Sequence, residues 1–384
     1  MLGFDHVFDS TWLTLIVKLV AQVKLLLTAD QAQALTATLV ACNGAAEWVS
    51  KVAWEQQVFR NYDLRGRTYG QVKAEFGLSA QPAQHVIKKV ADAYRADRAT
   101  RRRFRRLAAQ PFDDRCLSWQ LAQQTVSIWT VCGRLKGVRF TCGDHQRRLL
   151  ASRSGESDLL FRDGIWWLLA TCEVSEPSQQ SPVGMLGVDL GIVNIATTSD
   201  GTRYCGSHVN RIRHRNRRLR QKLQRNGSNS AKRLLRKRRR KESRFAADVN
   251  HVISRRIVAE ASRTGRGITL EYLKGIHGRV RLRKPQRATL HSWSFGQLGG
   301  FIEYKARLAG VRLVFVDPAF TSQQCSRCGH VDRGHRPNQS TFRCRRCGFA
   351  EHADVNAAVN LKVRGWAAVN PPNADTRIAP SDAA

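Results

Sequence analysis

Residues 20–27, VAQVKLLL, alternate apolar and polar positions and then run apolar, the pattern of a buried strand. The wider stretch 11–27 has the length of a signal or membrane segment. Lys18 and Lys24 interrupt it and no small-residue cleavage site follows, so a strand is expected and membrane insertion is not. The period then lengthens. Thr28 with Gln31 is a capping-box pair, and the Ala- and Leu-rich residues 29–57 predict a long helix. TYGQVKAEFG predicts a short helix capped by Thr68. Another starts near Ser79 and ends in the basic cluster 98–106. Residues 28–107 thus read as an all-helical unit. From residue 111 the pattern changes period: TVSIWTVCGRLKGVRFTCG and DLLFRDGIWWLLATCEV alternate or run apolar, with Asp163-Gly164 as a hairpin turn. Residues 111–174 predict a small β barrel that the N-terminal strand joins, with the helices as an insertion. SEPSQQSPVG, 175–184, is a linker by composition.

Strands and helices mix from residue 186 onward. LGVDLGIVNIATTSDG reads as strand, turn and strand; RGITLEYLKGI as a strand ending near Glu271; VRLVFVDP as a strand stopped by Pro318; HADVNAAVNLKVRG as a helix. Residues 1–14 show no clear pattern and read as a ragged extension. The tail from Trp366, rich in Pro, Ala and Asn, is expected to fray.

Charge changes the picture most. The chain of 384 residues carries 64 Lys+Arg against 30 Asp+Glu, net +34, which points to polyanionic partners. In 211–244, 17 of the 34 residues are Lys or Arg. Leu219, Leu223, Leu234 and Leu235 within that run argue for docked helices rather than a solvated disordered face. Helices so charged neutralise phosphates, and counterion release drives the binding. A 42% hydrophobic content allows two or three domains with cores of their own.

Six of the ten cysteines are scattered singly, which suits a reducing cytosol better than a disulfide framework. The other four, Cys325, Cys328, Cys344 and Cys347, form C-x₂-C-x₁₅-C-x₂-C, a zinc-ribbon spacing. Four thiolates close a tetrahedral site, so one structural Zn²⁺ is expected, with Gly329 and Gly348 permitting the turn after each pair. His330, His335 and His352 read as phosphate contacts or bystanders. Thr321, Ser322 and Gln323 read as turn capping slightly more than as substrate contacts, and Tyr94, Trp293 and Phe295 are given no role.

Three acids raise a different question. Asp189 lies inside an apolar strand, Glu271 follows the apolar ITL of another, and Asp354 opens the late helix. An unpartnered buried charge costs several kcal/mol, roughly, even after relaxation. Singly each has an ordinary explanation: a hydrogen-bonded strand acid, an exposed strand-end Glu, an acid favoured by a helix dipole. As a set they match the acids of an RNase H-like nuclease core, where two Mg²⁺ ions resolve the repulsion, activate water and stabilise a leaving 3′ oxygen.

In this order GVDLGIVNIATTSDG, ITLEYLKGI, FTSQQCSRCGH, FRCRRCGF and HADVNAAVNL resemble the transposon-encoded TnpB family, relatives of the RuvC-bearing type V CRISPR effectors, and AQVKLLLTADQAQAL resembles that family's opening. The resemblance covers residues 20–365. It implies a multidomain α+β chain: an N-terminal extension and first wedge strand (1–27), a helical recognition domain (28–110), a wedge β-barrel and linker (111–183), a RuvC-like nuclease core (184–320), a zinc-ribbon target-nucleic-acid-binding insertion (321–350), a last RuvC segment (351–365) and a disordered tail (366–384). It implies an RNA-guided DNA endonuclease that cuts guide-matched DNA beside a short flanking motif, with Asp189, Glu271 and Asp354 as catalytic Mg²⁺ ligands and the four cysteines on Zn²⁺. The implied partners are a guide RNA from the transposon end and double-stranded DNA. The implied setting is the bacterial cytoplasm, on the nucleoid when on DNA, as a monomer or weak dimer. Base pairing would supply sequence choice while Lys and Arg hold the heteroduplex backbone. Two departures stand: about twenty residues precede the usual first strand, and Tyr272 follows the Glu where many relatives have a polar residue. Other readings are a guided DNA-binding repressor, a zinc-ribbon RNA-binding protein and a DNA-joining transposase. The first two leave the three acids without a purpose, and the resemblance favours cutting over joining.

Overall fold

The computed structural model describes residues 16–272 and 295–370. The sequence-based expectations for residues 1–14, Trp293 and 371–384 fall outside them, as does the Phe295 side chain. The chain forms two compact units, 1–175 and 176–384.

In the first unit, β1 (Ile16–Leu26) buries Val17, Ala21, Val23 and Leu25 and turns Lys18 and Lys24 outward, which is why an apolar run with two lysines makes a strand. It pairs antiparallel with β5 (Gly133–Thr141) and β7 (Ile165–Ser175). With β2 (Gln110–Phe112), β3 (Leu117–Gln120), β4 (Thr125–Thr130) and β6 (Arg153–Arg162) it forms a seven-stranded sheet in the order β2-β6-β7-β1-β5-β4-β3. The sheet curls until it nearly closes. The Trp119 indole N–H on edge strand β3 donates to Ser157 Oγ on β6, beside the opposite edge, at 3.3 Å. Inserted after β1 are α1 (Ala29–Glu55), α2 (Asn61–Phe76) and α3 (Ala80–Ala96), packed on their own core around Tyr94. Both halves of the Thr28–Gln31 capping box form. Thr68, by contrast, caps nothing. The helix starts at Asn61, and Thr68 is buried inside it, its hydroxyl donating to the Leu64 carbonyl. Burial of Leu64 in the helical core recruits a polar segment that lacks helical periodicity of its own. A short α4 (Asp144–Leu150) links β5 to β6.

The second unit is built on β8 (Met185–Asp189), β9 (Asn194–Thr198), β10 (Arg203–Cys205), β11 (Gly267–Glu271) and β12 (Leu313–Val316), ordered β10-β9-β8-β11-β12. β8, β10, β11 and β12 run in one direction; β9 alone, between β8 and β10, is antiparallel to its neighbours. Residues 176–183 dock on this unit: Gln180 N–H donates to Gly310 and Val183 N–H to Gly265. The basic run is helical, forming α5 (Ser207–Asn226) and α6 (Asn229–Arg263), which fold back at Gly227. α7 (Phe295–Leu308) follows β11, and a hairpin of β13 (Thr341–Arg343) and β14 (Ala350–His352) leads into α8 (Ala353–Val369). α8 carries Trp366 to Val369 as regular helix, where fraying was expected. The reason is close packing at Gly365, where a Cβ would strike the Thr269 hydroxyl of β11.

Strand alternation sorts the two faces of this sheet. Leu186, Val188, Ile268 and Leu270 enter a core with Ile253 and Ile257 of α6 and Leu298 and Ile302 of α7. Gly187, Asp189, Thr269 and Glu271 therefore point to the opposite face, against α8. Gly187 has no room for a side chain because a Cβ would meet the Ala358 carbonyl. Among the described residues no helix is long and apolar enough to cross a membrane.

Candidate functional site

Asp189 and Glu271 each end a strand, and the parallel register pairs Val188 with Leu270. One step further along, the two acids stand side by side on the α8 face, with strands about 4.8 Å apart. Asp354 is in the first turn of α8. His352 caps that helix, its Nδ1 accepting from Asp354 N–H at 3.2 Å. The fold thus brings three acids from distant stretches to one end of one sheet face.

Their electrostatics are only partly compensated. Asp189 keeps some accessible surface. Even so, loss of hydration pushes its carboxyl well above the usual carboxylate range; Glu271 and Asp354 push it further and Arg336 opposes them. Among the described residues none donates a hydrogen bond to its carboxylate. Burial also raises Glu271, opposed by Thr321 and Arg364. The outer two acids do have donors. Thr321 Oγ1 lies 2.6 Å from Glu271 Oε1, and Asn194 Nδ2 donates to Asp354 Oδ2 at 2.9 Å. Arg336 Nη2 stands 3.8 Å from Asp354 Oδ1. The three carboxylates are not among the groups whose ligand atoms all lie within 4.8 Å of one another. Acids that share a pair of ions about 3.5–4 Å apart need not lie as close together as the ligands of one ion.

The cysteines do close up. Cys325, Cys328, Cys344 and Cys347 bring their Sγ atoms within 4.8 Å of one another, with Cys325–Cys347 at 3.8 Å and Cys328–Cys344 at 3.6 Å. Gly329 and Gly348 follow the two pairs with φ of 73° each, a left-handed conformation that admits Gly freely. Burial would raise the Cys344 thiol, but backbone N–H groups of Cys347 and Arg346 outweigh it and hold it below the ordinary thiol value. Such a thiol ionises readily and suits a soft cation.

The sequence reading missed Asn194 and Arg336 and took Thr321 for a turn cap. The threonine does meet the Pro318 carbonyl at 3.1 Å, but its shorter contact is to the acid. Asn194 had a weak signal, as the polar residue ending DLGIVN just after Asp189; Arg336 had none. His335 is fully buried, with Nδ1 3.0 Å from the Gln323 carbonyl and Nε2 3.9 Å from Cys344 Sγ. It is therefore not a surface phosphate contact, because it fills the core of the cysteine module. Tyr272 is exposed beside Phe315.

Known families fall on these same stretches. Residues 170–275, which hold Asp189 and Glu271, match the family described as a probable transposase (OrfB_IS605). Residues 295–361, with the four cysteines and Asp354, match the Cas12f1-like TNB domain. The chain is 39% identical over 142 residues to the CRISPR-associated endodeoxyribonuclease Cas12f1 of Sulfoacidibacillus thermotolerans, covering 37% of this chain and 30% of that protein. It is 30% identical over 224 residues to the putative RNA-guided DNA endonuclease InsQ of Escherichia coli, covering 53% and 55%. It is 35% identical over 148 residues to a TnpB-like protein of Methanocaldococcus jannaschii, covering 37% and 52%. The chain spans about half the length, or less, of the curated relatives it matches first. Two solved structures share its fold. One is a Cas12f1–sgRNA–target DNA complex, with TM-score 0.57 and 14% identity over 86% of this chain and 83% of that one. The other is the mini-RNA-guided endonuclease CRISPR-Cas phi3, with TM-score 0.58 and 10% identity over 93% of each. The resemblance to the TnpB family is thus borne out, and the chain is similar to its transposon-encoded and CRISPR-associated branches alike.

Proposed function

We propose that this chain is an RNA-guided, Mg²⁺-dependent DNA endonuclease with a RuvC-like core. The observation that carries the reading is the meeting of Asp189, Glu271 and Asp354 on one sheet face with the central charge uncompensated. Oxygen-only donors of this kind suit hard cations, and these three residues would hold two Mg²⁺ ions. When bound, such ions activate water and stabilise the leaving oxygen of a phosphodiester. Arg336 offers a guanidinium beside Asp354 for a non-bridging phosphate oxygen. The cysteine module, lacking an open ligand position, would hold one structural Zn²⁺. The nearly closed sheet of β1 to β7 and the helices α1 to α3 would be the wedge and recognition domains, with 184–320 and 351–365 as the nuclease core around the insertion 321–350. The lysines and arginines of α5 and α6 would line the path of the nucleic-acid backbone, with guide RNA and double-stranded DNA as partners, in the cytoplasm and on the nucleoid.

The test is to purify the full chain with the RNA that accompanies it, sequence that RNA, and offer the complex a matched DNA library with Mg²⁺. Cleavage beside a short shared motif is expected. Asp189→Ala should abolish cutting while guide-dependent DNA binding persists; equal loss of both would refute a catalytic role for the acid.

A further inference from the structure

Each outer acid has one oxygen held by a neutral donor; the other oxygen of Asp354, Oδ1, lies 3.8 Å from Arg336 Nη2 without a hydrogen bond. Thr321 Oγ1 sits on Glu271 Oε1, and Asn194 Nδ2 sits on Asp354 Oδ2. Asp189, between them, has no donor among the described residues. Neither donor is a loose surface group: Thr321 is 3% and Asn194 9% exposed.

Thr321 is itself braced. Asn360 Nδ2 on α8 donates to the Thr321 carbonyl at 2.9 Å and to the Gln324 carbonyl at 2.7 Å. Asn356, one turn earlier, donates to the Gln324 carbonyl and accepts from Ser326 N–H. Phe320, exposed and immediately before Thr321, has φ of 61°. A bulky residue in the left-handed region is strained, and the strain persists only where the surroundings over-determine it. The result is a hydroxyl aimed at Glu271 from the segment that enters the cysteine module.

We propose that Thr321 and Asn194 are positioning residues: each ties one oxygen of an outer carboxylate so that its remaining oxygen faces Asp189 as a single, fixed ligand for a divalent cation. The assignment rests on the nuclease reading above. A free carboxylate rotates and can chelate through both oxygens, whereas one fixed by a donor offers a single direction. Donors that orient ligating groups in this way are typically worth 10–100-fold in metal affinity.

The experiment uses the full chain with its copurified RNA and Mn²⁺ as the probe, titrated calorimetrically, with the Mg²⁺ dependence of cutting as a second readout. Thr321→Val and Asn194→Ala should each weaken Mn²⁺ binding about tenfold or more, while Thr321→Ser, which keeps the hydroxyl, stays close to native. RNA content and melting in EDTA should barely change. Native Mn²⁺ affinity in both Thr321→Val and Asn194→Ala overturns the proposal. Should Thr321→Val fail to fold, Thr321→Ser decides: a loss of affinity there as large as in Asn194→Ala shows that the hydroxyl is not what matters. Equal Mn²⁺ binding by the native chain and Asp189→Ala removes the nuclease reading and the positioning claim together. Tighter binding by the native chain than by Asp189→Ala, with Thr321→Val and Asn194→Ala unchanged from native, removes only the second.

Discussion

Asp113 and Asp189 are both aspartates at strand ends, one in each unit, and they respond to burial in opposite ways. Asp113 Oδ1 accepts from the Arg115 and Cys116 N–H groups, and Oδ2 from Gln81 at 2.6 Å. His85 Nε2 lies 3.4 Å from Oδ1. Burial would raise this carboxyl, but His85 and the Cys116 N–H outweigh it and hold it below the usual range. His85, Asp113 and Cys116 even form a group of ligating atoms within 4.8 Å of one another. Yet both oxygens of the acid are already engaged, by the Arg115 and Cys116 N–H groups and by Gln81. The Asp189 cluster is looser, and among the described residues no donor reaches Asp189 itself. The difference teaches that closeness of ligating atoms does not by itself mark an ion site; ligating groups whose charge the protein leaves unmet do.

Asparagine at each position is the strongest way to break that comparison. Asp189→Asn should lower cleavage about 10³-fold, the scale of losing a preorganised electrostatic partner of the transition state. It should also raise the melting temperature of the EDTA-treated protein, a gain that Mn²⁺ erases by stabilising only the native chain. The next largest effect belongs to Cys344→Ser, which should bring zinc content, read by elemental analysis, from one ion per chain toward none; Asp189→Asn should keep its zinc. Gly187→Ala forces α8 off β8 and should destabilise the second unit by about 3 kcal/mol or more, measured by urea unfolding, with Mn²⁺ affinity falling as Asp354 is displaced.

The smallest change is expected at Asp113. Asp113→Asn should leave cleavage intact and cost about 1–3 kcal/mol as donors lose their acceptor. Because its folded pKa lies below the unfolded value of about 3.9, the unfolded chain binds more protons between the two. The contribution is therefore fully present above the unfolded value and is lost as pH falls through the folded one. The gap in urea midpoint between native and variant should hold above about pH 4 and close as pH falls below it.

Local patterns were legible wherever one short window held the whole cause. The outward lysines of β1, the capping box at Thr28 and the spacing of the four cysteines each act over a few residues. Thr68 shows the limit: it looks like a cap, but burial of Leu64 extends the helix past it. Arg336 shows another, since nothing between the two cysteine pairs signals that this arginine would face Asp354.

The sequence by itself determined the classes of element, the basic helices, the thiol set and the three acids that needed an explanation. Only the tertiary structure decided that Asp189 and Glu271 share a face, that Gly187 and Gly365 let α8 lie against it, and that Thr321 and Asn194 reach the outer carboxylates. The reason is physical. Periodicity and capping are short-range, but the energy of a charge depends on what surrounds it, and those surroundings come from segments 50 to 160 residues apart.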